Sequence, residues 1–187
     1  MTGMSSLIAR TTVCGLRALA DPAGHTHFIS LIDPEWPAPD RLGWPRERWL
    51  LQRYHDEIEP HPGRTPPRAE DIDAILAFGR RAQAEEETPR LFIHCLSGVS
   101  RSTACALMLW AQADPAARET DLLRELHQAR PDAWPNSLMV AFADEQLGRR
   151  GALTSALREF YRQRVAAAPH LKARMRKLRR GADLVET

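Results

Sequence analysis

Apolar residues come in short runs in the first half of the chain and recur with helical spacing in the second. His27-Phe28-Ile29-Ser30-Leu31-Ile32 is a β-branched and aromatic run halted by Asp33-Pro34, which predicts a buried strand. Thr11 to Ala20 predicts a shorter strand around Val13. Arg48 to Tyr54, with Trp49, Leu50, Leu51 and Tyr54, predicts another, and Arg90-Leu91-Phe92-Ile93-His94 a fourth. Between the second and third, Pro34, Pro37, Pro39 and Pro45 exclude regular helix. His55 to Pro67 is polar and Pro-rich, hence loop.

The period then changes. Thr65 is a candidate helix cap with Pro66 at the first helical position, and Ile72, Ile75, Leu76 and Gly79 fall at i, i+3, i+4 and i+7. Glu85 to Pro89 ends that helix. Arg101 to Ala113 is mostly apolar and predicts a central helix. Leu122, Leu126 and Ala129 mark the next, ended by Pro131. Asn136 predicts a cap for a third, with Leu138 and Phe142 inward and Gly148 as its stop. Ala152 to Ala168 (Leu153, Leu157, Phe160) predicts a fourth. Strands first and mainly helices after predict an α/β sandwich with a small, mostly parallel central sheet flanked by helices.

Composition sharpens the organisation. A chain of 187 residues fits one domain with an extension, and 43% hydrophobic with 27% charged residues excludes wholesale disorder. The net charge of +2 hides two unlike parts: residues 158–187 carry nine Arg or Lys against three acidic residues, while residues 1–157 are net acidic. We therefore divide the chain into a main unit, 1–157, and a basic helical extension, 158–187. In the extension Leu171, Met175 and Leu178 fall at i, i+4 and i+7 among basic residues. Such a helix either docks on the body through its three apolar residues or meets an acidic partner, nucleic acid or anionic membrane. Of the basic residues 24 are Arg and 2 are Lys, which with heavy Ala and Pro use points to a GC-rich, bacterial genome. No apolar run reaches the ~18 residues of a membrane span, and Met1 to Ala20 lacks a signal-peptide pattern. Cys14, Cys95 and Cys105 are an odd set without paired spacing, which excludes a disulfide framework and a Cys-rich zinc site. The expected location is a reducing cytoplasm.

One segment carries the chemistry: His94-Cys95-Leu96-Ser97-Gly98-Val99-Ser100-Arg101-Ser102. A buried strand runs into Cys95 and a helix begins near Arg101, so the five residues between can curl around one tetrahedral anion. Gly98 permits positive φ and close backbone approach. The loop N–H groups, with the positive end of the following helix, make an anion nest. Arg101 returns with a planar fork matched to two phosphate oxygens. Positive surroundings favour a thiolate at Cys95, placed for in-line attack on a bound phosphate. Ser102 or Ser97 is positioned to donate a hydrogen bond to the sulfur. Cys105, on the apolar face of the following helix, reads as core.

His94-Cys95, five residues, then Arg101-Ser102 resembles the signature of the cysteine-dependent protein tyrosine phosphatases, and Gly98-Val99-Ser100-Arg101-Ser102 looks most like the dual-specificity branch. Arg130-Pro131-Asp132-Ala133-Trp134-Pro135-Asn136 resembles a further element of that branch, and short proteobacterial phosphatases are the nearest match in character. The resemblance covers residues 10–150. It implies a phosphatase-like fold, metal-independent hydrolysis through a cysteinyl-phosphate and no cofactor. Leu96, Ser97, Gly98, Val99, Ser100 and Arg101 would bind the phosphate, His94 would order the loop and Ser102 would support the sulfur. It also implies an Asp general acid on the loop after the strand that precedes the long helix. Asp56, 39 residues before Cys95, matches that position, with Glu57 and Glu59 as neighbouring competitors.

The loop side chains are uncharged, unlike the Lys-bearing loops of phosphoinositide phosphatases, so a single phosphate on a protein or small molecule is the expected substrate. Only Tyr54 and Tyr161 are tyrosines, and a shallow pocket tolerant of phosphoserine, phosphothreonine and phosphotyrosine follows. Two other functions use similar parts. A phosphate-recognition module would bind without turnover. A rhodanese-type sulfurtransferase also places Cys at a strand–loop–helix junction but needs neither Arg101 nor the Pro135-Asn136 element.

Overall fold

The computed structural model describes residues 4–16, 23–39 and 44–184. Its elements are α1 (Met4–Ala9), β1 (Thr11–Gly15), β2 (His27–Ile32), β3 (Trp49–Arg53), α2 (Ala69–Glu85), β4 (Leu91–Cys95), α3 (Arg101–Ala113), α4 (Glu119–Ala129), α5 (Ser137–Gln146), α6 (Ala152–Ala167) and α7 (His170–Lys177). The end of the first predicted strand, from residue 17, lies outside the described residues. The sheet order is β1-β4-β2-β3 and every pairing is parallel. This is the α/β sheet flanked by helices that the sequence predicts.

Strand alternation divides the core in two. Val13, Ile29, Leu31, Leu91, Ile93 and Cys95 face the main cluster, where α3 packs on β1 and β4. Every residue of β2 and β4 is buried, the expected state of central parallel strands. The opposite face carries a small aromatic cluster of Cys14, Phe28 and Phe92, with Trp44 and Trp49 packed against it. Phe28 stacks on Phe92 at 5.1 Å. Side by side on β4, His94 therefore joins the aromatic face and Cys95 the helical face.

Several boundaries differ from the sequence expectations. α2 begins at Ala69, not at Thr65-Pro66, because the Arg68 backbone N–H is taken by Asp71 Oδ2 at 2.8 Å and that closes the first turn. The Thr65 backbone is used elsewhere: its N–H donates to His55 Nδ1 at 2.8 Å and its carbonyl accepts from His55 N–H at 2.7 Å. On α5, Asn136 Oδ1 caps Met139 N–H as expected. The buried face is Met139, Val140 and Ala143, whereas Leu138 and Phe142 are half-buried flanking residues. Gly148, at φ 65°, does stop α5, with Arg149 N–H closing on Asp144 C=O.

The chain continues through α6 without a break at residue 157, and α6 packs on α4, α5 and α7. Leu171 and Met175 of α7 are buried in the main cluster, but Leu178 is 56% exposed. The expected third apolar anchor is lost because α7 ends at Lys177 and Arg179 turns left-handed, φ 57°. The Arg180 N–H then closes on Met175 C=O at 2.8 Å and Arg179 N–H on Arg176 C=O at 3.1 Å, a Schellman closure with Arg in the usual glycine place. Among the described residues no helix is long and apolar enough to cross a membrane.

Candidate active site

The loop between β4 and α3 is shaped by what surrounds it. Its carbonyls are engaged outward: Leu16 N–H donates to Leu96 C=O at 3.1 Å, Trp134 N–H to Val99 C=O at 2.8 Å and Asn136 N–H to Ser100 C=O at 3.3 Å. Gly98 has φ 74°, and a Cβ there would lie 2.5 Å from Cys14 C and Gly15 N. The contact is mutual, since a Cβ on Gly15 would lie 2.7 Å from Ser97 C. Two glycines thus let the end of β1 press on the loop.

Cys95 is 1% exposed, and two polar groups converge on its sulfur. Gly98 N–H donates to Sγ at 3.2 Å, and Ser102 Oγ lies 3.2 Å from it. Of the two candidate serines, Ser102 thus lies within hydrogen-bond distance of the sulfur, while Ser97 is exposed at the loop surface. His94 stands on the other face of the strand, its Nε2 2.7 Å from Ser30 Oγ, which also accepts from Trp49 Nε1 at 2.8 Å. Burial pushes the His94 imidazole down to about 4 against the opposing pull of the Cys95 backbone, so it is neutral at pH 7 and orders the strand end. The other two cysteines are free and buried. Burial raises the Cys14 thiol to about 11 and pushes Cys105 up further, as inert core thiols require.

Arg101 is buried and fixed from behind. Its Nη2 pairs with Asp33 Oδ1 at 2.6 Å and its Nη1 donates to the Tyr54 carbonyl. The Nε is buried and has no hydrogen-bond partner among the described residues. A donor left unpaired in such a place costs free energy until an acceptor arrives. The guanidinium is thus oriented with spare donor capacity, the arrangement that holds an oxyanion.

Asp56 reaches the loop from the β3–α2 connection. Its Oδ1 accepts from Ser100 Oγ at 2.7 Å, Asn136 Nδ2 at 2.9 Å and Arg180 Nη1 at 3.0 Å. Burial pushes this carboxyl up, but Arg180 and Arg101 with the Ser100 and Asn136 hydrogen bonds hold it below its ordinary range. No hydrogen bond reaches Oδ2 among the described residues. The two neighbouring carboxylates are placed differently. Glu57 is buried between Arg64 Nε, 2.9 Å, and Arg179 Nη2, 2.5 Å, while Glu59 is exposed.

Asp33, Glu35 and His55 bring three potential metal-ligating atoms within 4.8 Å of one another. Each already faces a partner of its own: Asp33 meets Arg101 and Arg64, and Glu35 meets His55 at 3.1 Å. Their donor capacity is directed at orienting Arg101 and the 55–65 loop.

No protein-family model matches the sequence, and no curated protein does. Solved structures do match. Human DUSP28 aligns with a TM-score of 0.57 at 16% identity, over 78% of this chain and 96% of that one. DUSP15 aligns with a TM-score of 0.57 at 18% identity, over 82% and 93%. The PTP-2 phosphatase of Cydia pomonella aligns with a TM-score of 0.54 at 17% identity, over 72% and 84%. The chain has the fold of these phosphatases.

Three contributors to this site lie outside the sequence motif: Asp33, Gly15 and Arg180. Asp33 directly follows a predicted strand, which is its signal, whereas Gly15 ends the observed β1 inside the longer 11–20 segment that the sequence offers. Arg180 had none. It is 4% exposed and joins four groups: Asp56, Ser100 Oγ at 2.9 Å, Pro135 C=O at 2.9 Å, and Asp183 Oδ2 at 2.7 Å, which in turn accepts from Trp134 Nε1 at 2.9 Å. Trp134 stacks on Tyr161 of α6 at 4.4 Å, so the Pro135-Asn136 element and the C-terminal stretch meet the loop between β4 and α3 together.

Proposed function

We propose that the chain is a metal-independent phosphomonoester hydrolase of the protein tyrosine or dual-specificity type, with residues up to Arg180 contributing to its catalytic unit. The observation that carries the reading is the Cys95 sulfur inside a loop whose Gly98 N–H points at it, beside an oriented Arg101 with an unpaired Nε. In the first step the Cys95 thiolate attacks phosphorus. An S–P bond forms, the P–O ester bond breaks, and the leaving oxygen takes a proton from Asp56 Oδ2. In the second step Asp56 accepts a proton from water, the water oxygen bonds phosphorus, and the S–P bond breaks to return the thiolate. Ser102 stabilises that departing sulfur, and Arg101 with the loop N–H groups holds the equatorial oxygens throughout. The three free cysteines and the Arg-rich composition suit a reducing, bacterial cytoplasm.

The test is hydrolysis of p-nitrophenyl phosphate in the presence of a chelator. Cys95→Ser is expected to abolish turnover while still binding inorganic phosphate; full activity in that variant refutes the covalent mechanism. Asp56→Asn is expected to slow alkyl phosphates more than aryl ones, because a poor leaving group needs the proton most. Equal activity would remove Asp56 from that role.

One observation favours a second reading. Asp56 is held toward its ionised form, which suits recognition of a phosphate with slow turnover better than rapid proton donation. Tight phosphopeptide binding without Cys95-dependent phosphate release would select it.

A further inference from the structure

We propose that Arg164, Arg174 and Lys177 form a second anion subsite, which selects phosphopeptides carrying another phosphate or an acidic side chain beside the phosphorylated residue. The proposal rests on the hydrolase reading above and names its substrate class. A cavity of about 550 Å³, within the usual span of ligand sites, is bounded by Ser97, Val99 and Ser100 of the phosphate loop and by residues of α6, α7 and the turn after it.

The charge around this cavity is unbalanced. Of its carboxylates, Asp56 is paired with Arg180, and Glu57 with Arg64 and Arg179. Arg164, Arg174 and Lys177 have no carboxylate within ion-pair distance among the described residues, and Asp132 is the one acid left to oppose them. Arg164 is aimed by its neighbours: its Nη1 bonds His127 Nδ1 at 2.8 Å and the Pro131 carbonyl, with its guanidinium over the Phe160 ring. The loop side chains Leu96, Ser97, Val99 and Ser100 carry no charge, so cations for a second anionic group come from the C-terminal helices. The loop by itself suits one isolated phosphate; the cavity beside it adds the cations for a second group.

A peptide fits better than a membrane. Interfacial binding by a basic helix needs a free apolar face. α7 spends Leu171 and Met175 on the core, leaving Leu178 as its exposed large hydrophobic residue. What remains available is charge without an insertion surface.

The experiment compares the full chain on two peptides of one sequence, singly and doubly phosphorylated, at two salt concentrations. The kcat/KM ratio of double to single is expected to be about tenfold at low salt, and to fall toward one at high salt and in Arg174→Gln/Lys177→Gln. Both substituted residues are exposed, so folding is preserved. A ratio near one in the native chain, or a ratio unmoved by the double substitution, overturns the proposal. So does loss of binding to phosphatidylserine vesicles in that variant with the peptide ratio unchanged, which assigns the cations to a membrane. If neither peptide shows Cys95-dependent turnover, the hydrolase reading fails. The subsite is then read from calorimetric binding of the two peptides to the Cys95→Ser chain, where tenfold tighter binding of the double phosphate supports it and equal affinity overturns it.

Discussion

Replacing Arg180 by Met removes a cation that two carboxylates share. The side chain of Asp183 is completely buried and that of Arg180 is 5% exposed, so Asp183 would be left charged in a dry site with the Trp134 N–H as its remaining partner. Removing one member of a buried pair costs about 3–5 kcal/mol, most of it the stranded charge. Asp56 adds little to that figure, because its side chain is 32% exposed and water screens the loss. We therefore expect Arg180→Met to lose about 3–5 kcal/mol in urea unfolding. The pair Arg180→Met/Asp183→Asn should recover at least half, since an Asn at that place can still accept from Trp134 without carrying charge. A second readout separates the active-site contact from simple stability. Arg180 is the foremost charge holding the Asp56 carboxyl down, so the variant's Asp56 stays protonated to higher pH, and the acid-requiring limb of kcat/KM for an alkyl phosphate moves upward. The stability sign is consistent. A carboxyl depressed in the folded state contributes stability above its ordinary value of 3.8, and loses it as pH falls through the folded value. That part of the gap between native chain and variant therefore closes in acid. A single variant costing under ~1 kcal/mol, or a double variant as unstable as the single one, refutes this account of the network.

Two further outcomes follow from the loop and the strand beneath it. Gly98→Ala puts a Cβ at 2.5 Å from backbone atoms and into positive φ, whereas Gly63, also at positive φ, has nothing within 4 Å. Thermal or urea unfolding should show Gly98→Ala losing about 3 kcal/mol or more and Gly63→Ala only about 1; equal losses would mean that the β1 contact does not shape the loop. His94 and His27 are both pushed down by burial, His94 to about 4, so each is neutral in the fold while the unfolded chain protonates near 6.5. Stability is then fully present above pH 6.5 and lost as pH falls toward 4, by up to about 3 kcal/mol from His94 alone. Urea midpoints at pH 7.5 and 5 measure it, and a pH slope unchanged in His94→Gln would remove His94 as its source.

How much of the site was legible depends on how its parts are spread along the chain. Cys95, Gly98 and Arg101 are contiguous, and the strand and helix flanking them announce themselves by period, so a local reading suffices. Asp56 needed the strand order as well. In an all-parallel sheet the segments just past the strand ends gather at one edge. Here those are Gly15 and Cys95, which end β1 and β4, and Asp33 and Tyr54 with Asp56, which follow β2 and β3. The residue that stops β2 therefore sits where it can meet Arg101, 68 positions further on, and the Asp33-Pro34 that reads as a strand terminator is also the acid that orients the arginine. That inference was open to the sequence once the sheet was taken as parallel.

Arg180 was not open in the same way, for a reason that lies in one backbone angle. Helical extrapolation through Leu171 and Met175 carries the buried stripe to Leu178 and leaves Arg179 and Arg180 among the solvated charges. The left-handed turn at Arg179, φ 57°, breaks the period two residues after α7 ends, exposes Leu178 and swings Arg180 inward. A non-glycine residue pays roughly 1 kcal/mol for that conformation, and nothing in the local sequence signals it. What offsets the cost is remote: Asp56, Ser100 and Pro135 accept from Arg180 across separations of 124, 80 and 45 residues. The mean charge of the extension is a poor guide for the same reason. Three of its cations, Arg164, Arg174 and Lys177, line the cavity without a carboxylate partner among the described residues, whereas Arg179 and Arg180 pair with Glu57 and Asp56. Basic residues alike in composition thus divide into carboxylate-paired and cavity-lining sets, and the turn at Arg179 is what puts Arg180 in the first.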